Sequence, residues 1–227
     1  MRPAAVIFDF IGTISDDEGL LAELFERIFG EVGIEVPASL YFEQFAGYAD
    51  DEICRLVLER FGRSGEPGLQ EHLVERRAQL YMEAQRTRST VHPQAADCVR
   101  RIAARVPVAI ASGAARVEIE GVLEASGLRE LFGVLICLED VQRGKPDPQG
   151  YLMARDALAD HVRRPLPADQ VLVFEDSEQG LRAALAAGMQ CIVIEGTAPA
   201  ERLTGATGIV SGLDWSIPLI RERFGEG

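Results

Sequence analysis

Val6-Ile7-Phe8-Asp9-Phe10-Ile11-Gly12-Thr13-Ile14-Ser15-Asp16 is the stretch on which the fold turns. Val6 to Phe8 are β-branched and aromatic, the composition of a buried strand. The run then meets Asp9, followed by Gly12 and Thr13. An acidic side chain at the C-terminal end of a parallel strand stands where open α/β sheets hold their ligands. An Asp in that place can also do no more than cap a loop. Three later stretches decide between the two uses.

Downstream of this stretch the pattern turns helical. Asp16 or Asp17 can cap a helix that has Glu18 in its first turn, and Leu20, Leu21, Leu24, Phe25, Ile28, Phe29 and Val32 recur at helical spacing up to Gly33. A second helix is expected over 38–46, then a break at Gly47 and Tyr48. Asp50 caps a third helix ended by Gly62, and a fourth runs to about Arg86. No strand pattern interrupts residues 13–89. From Pro93 onward strands and helices alternate. Strands are expected at 106–111, 134–137, 171–174 and 190–194, with a short one at Ile209-Val210 and a looser C-terminal end. Alternation of this kind means a parallel sheet with helices on both faces. The expected fold is therefore α/β, a three-layer core with a parallel sheet formed by residues 1–14 and 90–227, with an all-helical insert at 15–89.

Composition narrows the partners. The chain has 227 residues, is 47% hydrophobic and carries a formal charge of −13. That charge, with no polybasic run, argues against nucleic acid and anionic membranes. There is no leader-like n- and h-region and no apolar run of about 18 residues, so a soluble cytoplasmic protein is expected. Cys54, Cys98, Cys137 and Cys191 form no Cys-x-x-Cys pair, and in a chain with a sizeable core they read as buried free thiols. His72, His92 and His161 are scattered, without ligand spacing. Monomer or weak dimer is the default oligomeric expectation. Of the 23 basic residues only Lys145 is a lysine.

Four strand ends carry the chemistry. Asp9 follows the first strand, Ser112-Gly113 the second, Gly144-Lys145-Pro146-Asp147-Pro148 the next unit, and Glu175-Asp176-Ser177 the last of the set. In a parallel sheet these ends share one edge. Three carboxylates, a hydroxyl and the single lysine in one crevice match phosphoryl transfer. A carboxylate can attack phosphorus, and carboxylates can hold a divalent cation. Ser112 and the N–H groups opening its helix can bind phosphate oxygens, and a lysine adds a point charge. Ser112 as a helix N-cap, Glu175-Asp176 as a helix-start acidic pair and Lys145 as a solvated loop residue are the structural alternatives.

Phe8-Asp9-Phe10-Ile11-Gly12-Thr13, Ser112-Gly113, Gly144 to Pro148 and Phe174 to Ser177 resemble the four motifs of the haloacid dehalogenase superfamily. Gly180 through Met189 and the helical insert are similar to its β-phosphoglucomutase-like branch. The resemblance implies a Rossmann-like core, a mobile helical cap at 15–89, Mg²⁺ as cofactor and small phosphorylated metabolites as substrates. It also implies Asp9 as nucleophile with Lys145 beside it, phosphate binding by Ser112, Gly113 and Lys145, and metal binding by Asp9, the Ile11 carbonyl, Glu175 and Asp176.

The chain departs from that family at Ile11, where an acid/base Asp is usual. Loss of a positioned acid/base typically costs ~10²–10⁴-fold in rate. Asp16, Asp17, Glu18, Asp50, Asp51 and Glu52 are the candidates for replacing it. Otherwise substrates with good leaving groups, or phosphate binding with little turnover, would account for the change. Phosphonate hydrolysis is disfavoured because the insert has no lysine for a Schiff base, and carbon–halogen hydrolysis because Glu175-Asp176 resembles the metal-binding version. Gly47 and Tyr48 are expected to help choose the substrate. Apart from Arg55 and Arg60, no basic cluster in the insert suggests a doubly charged substrate.

Overall fold

In the computed structural model, which describes residues 2–46, 48–85, 89–196 and 199–225, the chain divides into two compact units. One comprises Met1–Asp16 with Ser89–Gly227, the other Asp17–Arg88. The break expected at Gly47 and the end of the fourth helix at Arg86 fall outside the described residues.

The larger unit is built on six parallel strands: β1 (Ala5–Phe8), β2 (Val108–Ala111), β3 (Val134–Ile136), β4 (Val171–Glu175), β5 (Gln190–Ile194) and β6 (Gly208–Val210). Their order across the sheet is β3-β2-β1-β4-β5-β6, and every neighbouring pair is parallel. The order reverses between β1 and β4, the switch point at which such sheets open a crevice at their carboxyl ends. The helices of this unit are α5 (Pro93–Ala103), α6 (Arg116–Ala125), α7 (Gln149–Val162), α8 (Glu178–Ala186) and α9 (Pro218–Arg223).

Strand periodicity sorts the core into two faces. Ile7 pairs with Ala109 and Val173, and Val173 with Cys191. All four belong to one buried cluster with Ala154 and Leu158 of α7 and Leu181 and Ala184 of α8. On the opposite face Phe8 pairs with Ile110 and Phe174. The Phe8 ring stacks on Phe174 at 5.4 Å and meets Phe132 edge-on at 6.1 Å. All four cysteines are free and buried.

The helical unit contains α1 (Glu18–Glu31), α2 (Ala38–Gln44), α3 (Asp50–Arg60) and α4 (Leu69–Gln85). Phe25 stacks on Phe29 and on Tyr41, joining α1 to α2. The helix caps are only in part those expected. Asp17 is the N-cap of α1, but its carboxylate accepts the Tyr81 hydroxyl rather than a backbone N–H. Asp50 lies inside α3, with Ala49 at the cap, and its carboxylate pairs with buried Arg77. In both cases a tertiary partner on α4 outcompetes the local turn.

The C-terminal end is also more ordered than its Gly and polar content suggests. Ile220 of α9 and Phe224 are buried, and Phe224 packs on Trp215 with ring centroids 5.8 Å apart. Three anchoring side chains decide this, too few to register as periodicity. Because Phe8 joins two aromatic neighbours at the sheet centre, Phe8→Ala is expected to cost about 3–5 kcal/mol of stability. Urea unfolding measures it, and a loss below about 1 kcal/mol would mean that the site collapses to refill the cavity.

Candidate active site

Register builds the site. With Ile7 level with Val173 and Ala109, two further residues place Asp9 beside Glu175 on one side and Ala111 on the other. The Asp9 N–H donates to the Phe174 carbonyl at 2.9 Å, extending the ladder past β1. The same parity turns Glu175 toward the α7/α8 face.

Glu175 is fully buried and heavily hydrogen-bonded. Its Oε2 accepts the Asp176 N–H, the Ser177 N–H and the Ser177 hydroxyl, each at 2.9 Å. Its Oε1 accepts from Lys145 Nζ at 2.5 Å and from the Tyr151 hydroxyl at 2.8 Å. Ser177, not the acidic pair, caps α8, with Oγ accepting the Gly180 N–H at 3.0 Å. A Cβ on Gly180 would lie 1.6 Å from Glu175 Oε1, so the helix start has room only for hydrogen there.

Lys145 is far from a solvated loop residue. Its ammonium bridges Glu175 and Asp9 Oδ1. Burial on its own would lower the Lys145 pKa, but Asp9 and Glu175 outweigh it and hold the ammonium charged. Burial would likewise raise Glu175, yet Lys145 and the hydrogen bonds it accepts bring it below the ordinary carboxylate range. Asp9 carries the cost of this arrangement. Burial, reinforced by the charge of Glu175 and only partly opposed by Lys145, pushes it up to about 7.

One oxygen from each of Asp9, Glu175 and Asp176 lies within 4.8 Å of the others. Three buried carboxylates gathered this closely offer hard oxygens that suit a divalent cation such as Mg²⁺. Glu175 would have to give up a hydrogen bond to join such a ligand set. The Ile11 backbone is held by a bridge to Ser15, and the Gly12 N–H donates to the Ser15 carbonyl at 2.7 Å. Gly12 has φ +75°, and a Cβ there would stand 2.3 Å from Asp176 Oδ2. This loop therefore presses its backbone against the Asp176 carboxylate.

Ser112 and Gly113 follow β2 and line one small cavity with Gly144, Lys145, Gly150 and Tyr151. Ser112 is not the N-cap of α6, a place taken by Ala115; its Oγ accepts the Ala114 N–H at 3.2 Å. The expectation that the N–H groups opening α6 face a phosphate needs correcting at Arg116. Its N–H donates to the Glu139 carboxylate at 3.1 and 3.2 Å.

The acids considered as substitutes for Ile11 are mostly engaged. Asp16 pairs with His92 at 2.9 Å, Glu18 accepts the Tyr41 hydroxyl at 2.8 Å, and Glu52 lies 3.8 Å from Arg55. Asp17 and Asp50 have the α4 partners described above, while Asp51 is exposed. Arg55 is also held by Glu59 at 2.9 Å, and Arg60 donates to Gln44 at 2.7 Å. Sequence reasoning missed Tyr151. Its spacing to Ala154 and Leu158 marks the buried face of α7, and with its place so soon after Lys145 this was the available signal.

Residues 3–188 match the family model for haloacid dehalogenase-like hydrolases. The chain belongs to this family. It is 28% identical over 222 residues to the validoxylamine A 7'-phosphate phosphatase of Streptomyces hygroscopicus subsp. limoneus, covering 91% of this chain and 92% of that one. It is 26% identical over 191 residues to the fructose-1-phosphate phosphatase YqaB of Escherichia coli, covering 84% and 96%. Among solved structures, β-phosphoglucomutase of Clostridium difficile superposes with a TM-score of 0.82 at 18% identity, covering 100% of this chain and 98% of that one. This dehalogenase-like hydrolase thus has the β-phosphoglucomutase-like fold, and the two curated relatives named are phosphatases of small phosphorylated compounds. Among the described residues no helix is long and apolar enough to cross a membrane.

Gly12→Ala is expected to cost about 1–2 kcal/mol from the left-handed backbone alone, with more from the approach to Asp176. An unchanged urea midpoint would show that the loop relaxes freely.

Proposed function

We propose that the protein is a Mg²⁺-dependent phosphoric monoester hydrolase of a small phosphorylated metabolite, working through an aspartyl-phosphate at Asp9. The observation that carries this reading is Lys145, the chain's single lysine, bridging Asp9 and Glu175 beside Asp176. The phosphatase relatives support the substrate class.

Asp9 Oδ attacks phosphorus as the bond to the leaving oxygen breaks, and water then cleaves the acyl phosphate to return the carboxylate and release inorganic phosphate. Lys145 supplies a positive charge to the transferring group, while Ser112 and Gly113 offer donors at its oxygens. Asp9, Asp176, the Ile11 carbonyl and Glu175 are the groups to hold Mg²⁺, which neutralises phosphate charge when bound. Asp9 must be ionised to attack, and relief of the negative charge around it favours that state. The helical unit acts as the cap, and Tyr48, 39% exposed, is its candidate for substrate choice.

The leaving oxygen lacks the usual proton donor, since Ile11 has no titratable group. The engagement of Asp17, Glu18 and Asp50 within the helical unit argues against an easy substitute there. Good leaving groups are accordingly favoured. Ile11 also supports a second reading, phosphate binding with little turnover.

Phosphate release from a panel running from acyl phosphates to sugar phosphates tests both. Hydrolysis is expected with Mg²⁺ and without it should vanish. Asp9→Asn should abolish it, and an unchanged rate in that variant would remove the nucleophile assignment. Ile11→Asp should raise the rate on sugar phosphates by about 10²-fold or more. If the natural protein already turns these over well, another group supplies the proton. Mg²⁺ should also raise the thermal midpoint by mass action. Asp176→Asn should remove that rise, and a rise that persists would take Asp176 out of the ligand set.

A further inference from the structure

We propose that Tyr151 is a positioning residue for the reaction, its hydroxyl holding Glu175 Oε1 so that the Lys145 ammonium remains shared with Asp9. The inference rests on the aspartyl-phosphate reading for its kinetic consequence, but its structural content is independent of it.

The geometry is specific. Tyr151 is the third residue of α7 and only 1% exposed. Register turns Glu175 toward the face α7 covers, and the Tyr151 hydroxyl meets Oε1 at 2.8 Å, the same oxygen that takes Lys145 at 2.5 Å. The Tyr151 ring also lies beneath the ammonium, with Nζ 5.1 Å from its centroid, so one side chain touches both partners. Burial, and then the neighbouring Glu175, push the Tyr151 phenol far above its usual range, so it stays a neutral donor.

Glu175 Oε2 is already served by three donors from the start of α8. Among the described residues, Oε1 accepts from Lys145 and Tyr151 alone. A fully buried carboxylate oxygen that loses one donor draws more heavily on the other. Without the hydroxyl, Lys145 turns toward Glu175 and away from Asp9, where the transferring group is handled. An ordinary core aromatic in this place would need no hydroxyl, and a solvated one would be indifferent to losing it.

Tyr151→Phe is the test, because it keeps the ring and removes one oxygen. Lys145 is the single lysine of the chain, so lysine labelled with ¹³C and ¹⁵N gives side-chain signals from this residue alone. Expected in Tyr151→Phe are shifted Lys145 ε-methylene and ammonium signals, kcat lowered about tenfold and KM changed less than about threefold. Binding of inorganic phosphate in the presence of Mg²⁺ should weaken in parallel. Unmoved Lys145 signals overturn the proposal, even if activity falls with the thermal midpoint, since the loss would then be general. Moved signals with kcat within about twofold overturn the catalytic consequence.

Asp9→Asn is run alongside. Retained turnover in that variant defeats the aspartyl-phosphate reading, while the Lys145 signals still decide the role of Tyr151.

Discussion

A single ammonium shared between two buried carboxylates is the constraint on which the rest of the site depends. Lys145 reaches Glu175 and Asp9 together, and each partner is anchored by something that has little freedom to move. Asp9 is continuous with the sheet through its N–H, and Glu175 is gripped by the start of α8. Buried charges are tolerated only when paired and hydrogen-bonded. That condition is met for Glu175 and Lys145, and least well for Asp9. The residue with the least satisfied charge is also the one proposed to react. A carboxylate stabilised more strongly would be a poorer nucleophile, and one left without Lys145 would be protonated over a wider pH range.

The close-packed glycines follow from the same constraint. Gly180 makes room for the Glu175 carboxylate, and Gly12 lets the loop after β1 approach Asp176. Both allow backbone to approach charged side chains where a Cβ would collide. Ile11 stands in this loop, in a position where its side chain brings no proton but its backbone carbonyl is unaffected. On the proposed reading, binding and proton transfer become separable in this chain, because the charged groups come together while an apolar side chain stands where the acid/base is expected.

Much of this was legible in the sequence because it depends on strand order and local pattern. The buried run before Asp9, the alternation of strands and helices after Pro93, and a polar residue at each strand end require only periodicity and the rule that parallel strands share a carboxyl edge. The isolated lysine among 22 arginines pointed to Lys145 without any coordinates. The tertiary structure decided which donor each polar group takes. Asp17 and Asp50 abandon helix capping for Tyr81 and Arg77, Glu139 occupies the Arg116 N–H, and Ser177 caps α8. It also decided the C-terminal helix, held by Trp215, Ile220 and Phe224, and the place of Tyr151 beneath Lys145. The physical reason is range. Periodicity and strand ends are set by neighbours along the chain, whereas a buried hydrogen bond goes to whichever partner the packed elements bring within about 3 Å, often from far away in sequence.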